Sequence, residues 1–159
     1  MAPRLNPFTA SPAAMQPWIE LGKTIQTNGL EPLLRELVMM RASQINGCAF
    51  CIHHHVTDAR KYGESEDRLH LLSAWRESAL YSDRERAALG WTEALTRLAG
   101  HPVSDEAYAA VAAEFTEAEQ VALTLAIGTI NSFNRLGAGF QLGHPVSAAD
   151  RPNPDRIAA

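Results

Sequence analysis

The chain has 159 residues and a formal net charge of −4, with 18 acidic and 14 basic side chains interspersed along it. This length suits a single domain over residues 1–159, and the core it can bury requires no disulfide staple. Without a basic stripe, no nucleic acid partner is expected. No uncharged segment reaches the roughly 20 apolar residues of a bilayer span. The N-terminus, MAPRLNPFTASPAAM, also lacks the apolar run of a secretory signal, so a soluble, cytoplasmic protein with no membrane partner is expected.

The first half of the chain predicts three helices. Apolar residues recur at helical spacing and no alternating run favours a strand, so the predicted fold class is all-α. A proline in the first turn and a glycine beyond the last are typical helix boundaries. They predict helices from Pro12 to Asn28, from Pro32 to Asn46 and from Cys48 to Tyr62.

The second half predicts a short helix from Ser65 and then a connector from Trp75 to Tyr81. Two S/T-x-x-E capping boxes begin the later helices. The predicted boundaries are Ser82 to Gly100, Ser104 to Phe115 and Thr116 to Leu136. The last helix is apolar on most sides, which predicts burial in the domain or at a subunit contact. From Gly143 onward the tail is expected to be loosely ordered or to lie on a neighbour.

The chemistry of the chain is concentrated in ELVMMRASQINGCAFCIHHH, residues 36–55, which contains both cysteines and three of the six histidines. Cys48, Cys51 and His55 are three and four residues apart, which on a helix places them within a sector of about 60°. His53 falls on the opposite side and His54 on the far flank, so only His55 is expected to face the cysteines.

Two further features favour redox chemistry. The first turn of a helix stabilises thiolates, and a C-x-x-C pair there can close a disulfide that cycles through a sulfenic acid. In a hairpin that turns near Gly47, Glu36 lies about 15 Å back along one helix and His55 about 12 Å forward along the next. Both therefore lie at similar heights, and a relay from Glu36 through His55 to Cys51 is predicted.

The same residues resemble the signature of the alkyl hydroperoxidase D (AhpD-like) family, within the carboxymuconolactone decarboxylase superfamily. That signature has a glutamate, a C-x-x-C pair twelve positions later and a histidine four beyond the second cysteine. Glu36, Cys48, Cys51 and His55 match each position. The resemblance extends less sharply over YSDRERAALGWTEALTRLAG and INSFNR, and covers about residues 31–142.

The resemblance implies an AhpD-like helical bundle, with the C-x-x-C pair at the N-terminus of a central helix, that assembles as a homo-oligomer. The implied activity is thiol-dependent reduction of hydroperoxides without a cofactor or a metal. Cys51 would be the peroxidatic cysteine, Cys48 the proton donor and resolving partner, and Glu36 with His55 the proton relay. The oxidised pair would be reduced by an external dithiol, in the best-known case one based on lipoyl groups. One departure is Phe50, where peroxidase members can carry a histidine.

The sequence is compatible with two other functions. Cys48, Cys51 and His55 could hold zinc with one outside ligand, although three ligands on one helical face without a second Cys or His pair are a poor match. A lactone-processing lyase is the other superfamily activity, but it needs an acid–base site, and the intact cysteine pair argues against it.

Overall fold

The computed structural model describes residues 3–146, which form eight α helices and one 3₁₀ helix and contain no strand. This confirms the predicted all-α fold. The helices are α1 (Pro7–Ala10), α2 (Pro12–Gln26), α3 (Pro32–Ile45), α4 (Ala49–Lys61), α5 (Glu66–Leu71), the 3₁₀ helix (Leu72–Glu77), α6 (Asp83–Thr96), α7 (Asp105–Glu114) and α8 (Glu117–Phe140).

Local sequence signals account for most of these boundaries. Both capping boxes form: Ser82 and Glu85 bond reciprocally at the start of α6, and Thr116 and Glu119 do so at the start of α8. Pro17 lies inside α2, which nevertheless continues to Gln26. Helices α2 and α3 begin at Pro12 and Pro32, which confirms their predicted starts at proline.

Three local features differ from the prediction. The short helix α1 was not predicted, because four residues are too few to give a readable period. Trp75 lies in the 3₁₀ helix rather than in a connector, and its side chain is buried. Helix α8 continues past Leu136 to Phe140 and ends at Gln141, which has a left-handed φ of 53°.

Helix α3 lies at the centre of the bundle and packs against α4, α6 and α8. Its ten consecutive residues 34–43 are buried, so it is enclosed on every side. Leu123, Ala126, Ile127 and Ile130 of α8 are also buried, as the apolar sequence predicts. The exposed residues Val121 and Leu125 lie on the other face of α8.

Within residues 3–146, no helix is both long and apolar enough to span a bilayer. The predicted tail from Gly143 falls largely on residues 147–159, which lie outside the described part of the chain. Of the described residues, His144 stacks on His53, with 4.9 Å between the ring centroids.

Candidate active site

The cysteine pair begins helix α4 after a tight turn from α3. Gly47 takes a φ of 66° in that turn, a conformation that favours glycine. Cys48 is the N-cap of α4, and its sulfur accepts a hydrogen bond from the backbone N–H of Cys51 at 3.4 Å. The predicted position of the pair in the first turn of a helix is therefore observed.

Cys48 and Cys51 form a disulfide with a Cα–Cα distance of 5.4 Å. Both are buried, but only Cys51 is among the residues that line an adjacent cavity. Cys48 instead lies against α8, where a Cβ atom added to Gly137 would lie 2.6 Å from its sulfur. Cys51 thus faces the cavity, and Cys48 packs against α8.

Glu36 and His55 meet between α3 and α4, as the hairpin arithmetic predicts. The Nδ1 atom of His55 lies 2.7 Å from Oε2 of Glu36, and the Glu36 side chain is buried whereas that of His55 is partly buried. The same two residues line the cavity together with Cys51. A carboxylate, an imidazole and a sulfur therefore share one cavity wall, the arrangement expected of an orienting group, a base and a nucleophile.

One charged partner of this pair, Arg35, is not indicated by the sequence pattern. Arg35 is 3% exposed, and its Nε and Nη2 atoms lie 3.3 and 3.2 Å from Oε1 of Glu36. Its Nη1 atom donates to the carbonyl oxygen of Gln26 at 2.9 Å. Because adjacent helical residues point about 100° apart, periodicity gives no sign that Arg35 reaches back to Glu36.

The cavity has a volume of about 320 Å³ and lies between α2, α3, α4 and α8. This volume is at the lower end of the range for small-molecule sites. Most of its wall is apolar: Phe8, Ile19, Ile25, Met39, Phe50, Ile130, Phe133, Leu136 and Leu142. Phe50, the position at which peroxidase members can carry a histidine, thus contributes apolar surface here.

His54 also lines the cavity, so the expectation that only His55 faces the site was too narrow. The side chain of His54 is more than half exposed, but its partial desolvation and the neighbouring charge of His55 lower its pKa and outweigh the opposing effect of Asp58. Its Nε2 atom lies 3.4 Å from Asp58. The neutral form of His54 is therefore favoured at the cavity wall.

A network of amides supports the turn behind the cysteines. Asn46 donates to the side-chain oxygens of Asn131 and Asn134, at 2.9 Å in each case. Asn134 in turn donates to the hydroxyl of Ser43 at 2.9 Å, and the carbonyl of Ser43 accepts from the N–H of Cys48. Two asparagines three residues apart in an apolar helix were the sequence signal for this network.

A second buried carboxylate, Glu93 of α6, lies outside the cavity lining. Its Oε1 accepts from Nε of Arg41 at 2.7 Å and from the indole of Trp75 at 3.0 Å. Its Oε2 accepts from Arg76 at 2.6 Å and from Arg97 at 3.0 Å. Burial alone would raise the pKa of Glu93, but hydrogen bonds from Trp75, Arg76 and Arg41 outweigh it and hold the pKa at about 2.

The positions of the two cysteines and of His55 do not favour the zinc hypothesis. The two sulfurs are joined to each other, and His55 is turned toward Glu36. Among residues 3–146, no three His, Cys, Asp or Glu side chains converge as a metal site would require.

Comparison with known proteins agrees with this architecture. The model of the carboxymuconolactone decarboxylase family matches residues 12–94, more than half of the chain. The chain belongs to the carboxymuconolactone decarboxylase family. An uncharacterized protein of Bacillus subtilis (strain 168), YdfG, is 40% identical over 136 residues, which are 86% of this chain and 92% of that protein.

Two solved structures extend the likeness. A protein of unknown function from Agrobacterium tumefaciens, assigned provisionally to antioxidant defence as AhpD, is 43% identical with a TM-score of 0.90. The match covers 92% of this chain and all of that one. The debrominase Bmp8 is 21% identical with a TM-score of 0.78, over 89% of this chain and 75% of its own, which shows the fold alone. The predicted AhpD-like helical fold is thereby confirmed.

Proposed function

We propose that this protein is a thiol-dependent peroxidase that reduces organic hydroperoxides through Cys51 and Cys48. The observation that carries the proposal is the 2.7 Å contact between Glu36 and the partly buried His55, at the wall of the cavity that Cys51 lines. An imidazole held by a carboxylate can accept a thiol proton and so generate the nucleophilic thiolate.

The first half of the cycle consumes the hydroperoxide. His55 takes the proton of the reduced Cys51 thiol, and the thiolate attacks the terminal peroxide oxygen. The S–O bond forms as the O–O bond breaks, which leaves Cys51 as a sulfenic acid. The departing alkoxide takes the proton from His55 and leaves as an alcohol.

The second half closes the disulfide. The sulfur of Cys48 attacks that of Cys51, the S–S bond forms as the S–O bond breaks, and the hydroxyl leaves as water with the proton of Cys48. An external dithiol, such as a reduced lipoyl group, then reduces the pair and is itself oxidised to a disulfide. Cys51 lines the cavity, whereas Cys48 packs against α8, and these positions support this division of roles.

The cavity wall supports an organic substrate. Hydrogen peroxide has no apolar group, so contact with apolar surface adds little to its binding. An alkyl or aryl group, in contrast, is transferred favourably from water to the wall formed by Phe50, Phe133 and their neighbours. Cumene hydroperoxide is therefore expected to be a better substrate than hydrogen peroxide.

The test is turnover of cumene hydroperoxide by reduced protein with dihydrolipoamide as the reductant. Wild type should consume peroxide and lose two free thiols, and Cys51→Ser should abolish both changes. Cys48→Ser should stop at a sulfenic acid that dimedone traps on Cys51. Circular dichroism of each variant controls for folding. Retained turnover in folded Cys51→Ser would contradict the proposal.

A further inference from the structure

Arg35 is a buried cation to which the proposed relay assigns no task. Its side chain is almost fully removed from water, although a guanidinium is stripped of water only at high cost unless it is paired. Two side-chain nitrogens are directed at Oε1 of Glu36. A side chain held so firmly beside one carboxylate oxygen affects what that carboxylate can do.

A second contact fixes the guanidinium in place. Nη1 of Arg35 donates to the carbonyl of Gln26, the last residue of α2. The last carbonyls of a helix lack intrahelical partners and carry the negative end of its dipole, so they favour a cation. Arg35 is thus anchored to α2 as well as to the neighbouring residue of α3.

These contacts give the two carboxylate oxygens of Glu36 different partners. Oε1 receives the N–H groups of Arg35, and Oε2 faces Nδ1 of His55 at 2.7 Å. Arginine has no acceptor and keeps its charge, so it favours the ionised carboxylate. An ionised oxygen only accepts hydrogen bonds, and therefore Nδ1 of His55 must be the protonated nitrogen. Its Nε2 is then left with a free lone pair.

We propose that Arg35 is a positioning residue, which holds Glu36 ionised and so keeps His55 in the Nδ1–H tautomer whose Nε2 can accept a proton. The role of that lone pair in taking the Cys51 proton rests on the proposed peroxidase function. Without the guanidinium, a protonated Glu36 can donate to Nδ1. The imidazole then carries its proton on Nε2 and cannot act as the base.

The other charged groups around Glu36 are few. Helix α4 presents His54, His55 and Asp58 to the cavity, and α2 presents Lys23. Helix α8 contributes no titratable side chain among the described residues that line the cavity. Lys23 is already paired with Glu20 at the surface. Arg35 is therefore the cation in direct contact with the carboxylate.

The first test is the pH profile of kcat/KM for cumene hydroperoxide in Arg35→Gln and Arg35→Lys. Removal of a positive charge beside the Glu36–His55 pair should move the acid limb of the activity profile of Arg35→Gln to higher pH. Its activity near pH 7 should fall roughly 10²-fold, the lower end of what general acid–base catalysis contributes. Arg35→Lys keeps the charge and should restore most of the activity and the position of the limb.

Arg41→Gln is the matched control, because it also breaks a buried arginine–glutamate pair, the one with Glu93. It should lower the melting temperature and leave the pH profile unchanged. An unchanged limb in Arg35→Gln, or an equal shift in Arg41→Gln, would overturn the inference.

The second test does not depend on activity. ¹⁵N NMR of histidine-labelled wild type reports the tautomer directly, with His55→Gln used to assign the signal. We expect the Nδ1–H form in wild type and in Arg35→Lys, and the Nε2–H form in Arg35→Gln. An Nε2–H form in wild type, or an Nδ1–H form retained in folded Arg35→Gln, would overturn the assignment of Arg35. Absence of peroxide turnover with the Nδ1–H form present would instead overturn the peroxidase proposal alone.

Discussion

Glu36 and Glu93 are equally buried, each 4% exposed, yet their surroundings prepare them for different tasks. Both oxygens of Glu93 are occupied by arginine and tryptophan donors, and none of these groups exchanges protons near neutral pH. Glu36 has one oxygen on Arg35 and the other on His55. The two carboxylates therefore differ less in the number of their hydrogen-bond partners than in whether one of those partners can exchange a proton.

The two carboxylates also differ in what lies beside them. Glu93 joins α6 to α3 and to the 3₁₀ helix through Arg41 and Trp75, so it connects elements of the fold. Glu36 lies at the wall of the cavity that Cys51 lines. Substitution of each by glutamine, which preserves shape and removes charge, should separate stability from catalysis.

The largest effect is expected for Glu36→Gln. The new amide can donate to Nδ1 of His55, which places the imidazole proton on Nε2 and removes the base. Turnover of cumene hydroperoxide should fall by roughly 10²- to 10⁴-fold, the usual contribution of general acid–base catalysis. Steady-state kinetics measure kcat/KM, and thermal unfolding verifies that the variant is folded. Activity within about twofold of wild type would remove Glu36 from the relay.

Glu93→Gln should give the opposite result. The substitution leaves the buried guanidinium of Arg41 without its counter-charge, and breaking a buried pair in this way costs about 3–5 kcal/mol. Urea denaturation should show that loss in the free energy of unfolding, while the folded variant keeps the proposed peroxidase activity. A folded Glu93→Gln protein without activity would show that the two carboxylates are not separate in function.

Acid titration sharpens this second prediction. The pKa of Glu93 in the folded protein, about 2, lies below its ordinary value of 4.5. Its contribution to stability is therefore complete above pH 4.5 and is lost as the pH falls toward 2. The difference in unfolding free energy between wild type and Glu93→Gln should narrow across that interval. A constant difference would mean that the charge of Glu93 is not what stabilises the fold.

The same contrast explains what the sequence could predict. The meeting of Glu36 with His55 follows from two helical periods and one short turn, so counting residues was sufficient. The capping boxes at Ser82 and Thr116 are likewise local patterns. Each of these depends on residues that are near in sequence or on a regular geometry that carries them together.

Other features depend on tertiary packing. The direction of Arg35 is set by the carbonyl of Gln26 at the end of another helix, which no period of α3 encodes. The contact between Ser43 and Asn134 joins residues 91 positions apart. Which face of α8 meets the cysteines depends on the crossing of helices, so helical periodicity gives no sign that Gly137 contacts them.

The smallest effect is expected at Gly137, where the redox region is packed most closely. A Cβ atom there would lie 2.6 Å from the sulfur of Cys48 and 3.4 Å from that of Cys51, so the disulfide turn must move. Gly137→Ala should cost about 1–3 kcal/mol of unfolding free energy, as overpacking does. Since the displaced sulfur is that of the proposed resolving cysteine, closure of the disulfide after sulfenic acid formation should also slow in stopped-flow measurements.

Gly90 of α6 provides the matched control on the Glu93 side of the molecule. A Cβ atom there would meet the ring of Trp75 at 3.9 Å, an ordinary van der Waals distance. Alanine is favoured over glycine inside a helix by about 0.5–1 kcal/mol, so Gly90→Ala should be neutral or stabilising. Equal stability changes in Gly90→Ala and Gly137→Ala would show that helix propensity, and not contact with the cysteines, governs both positions. Destabilisation confined to Gly137→Ala would mean that α8 must approach the disulfide without a side chain.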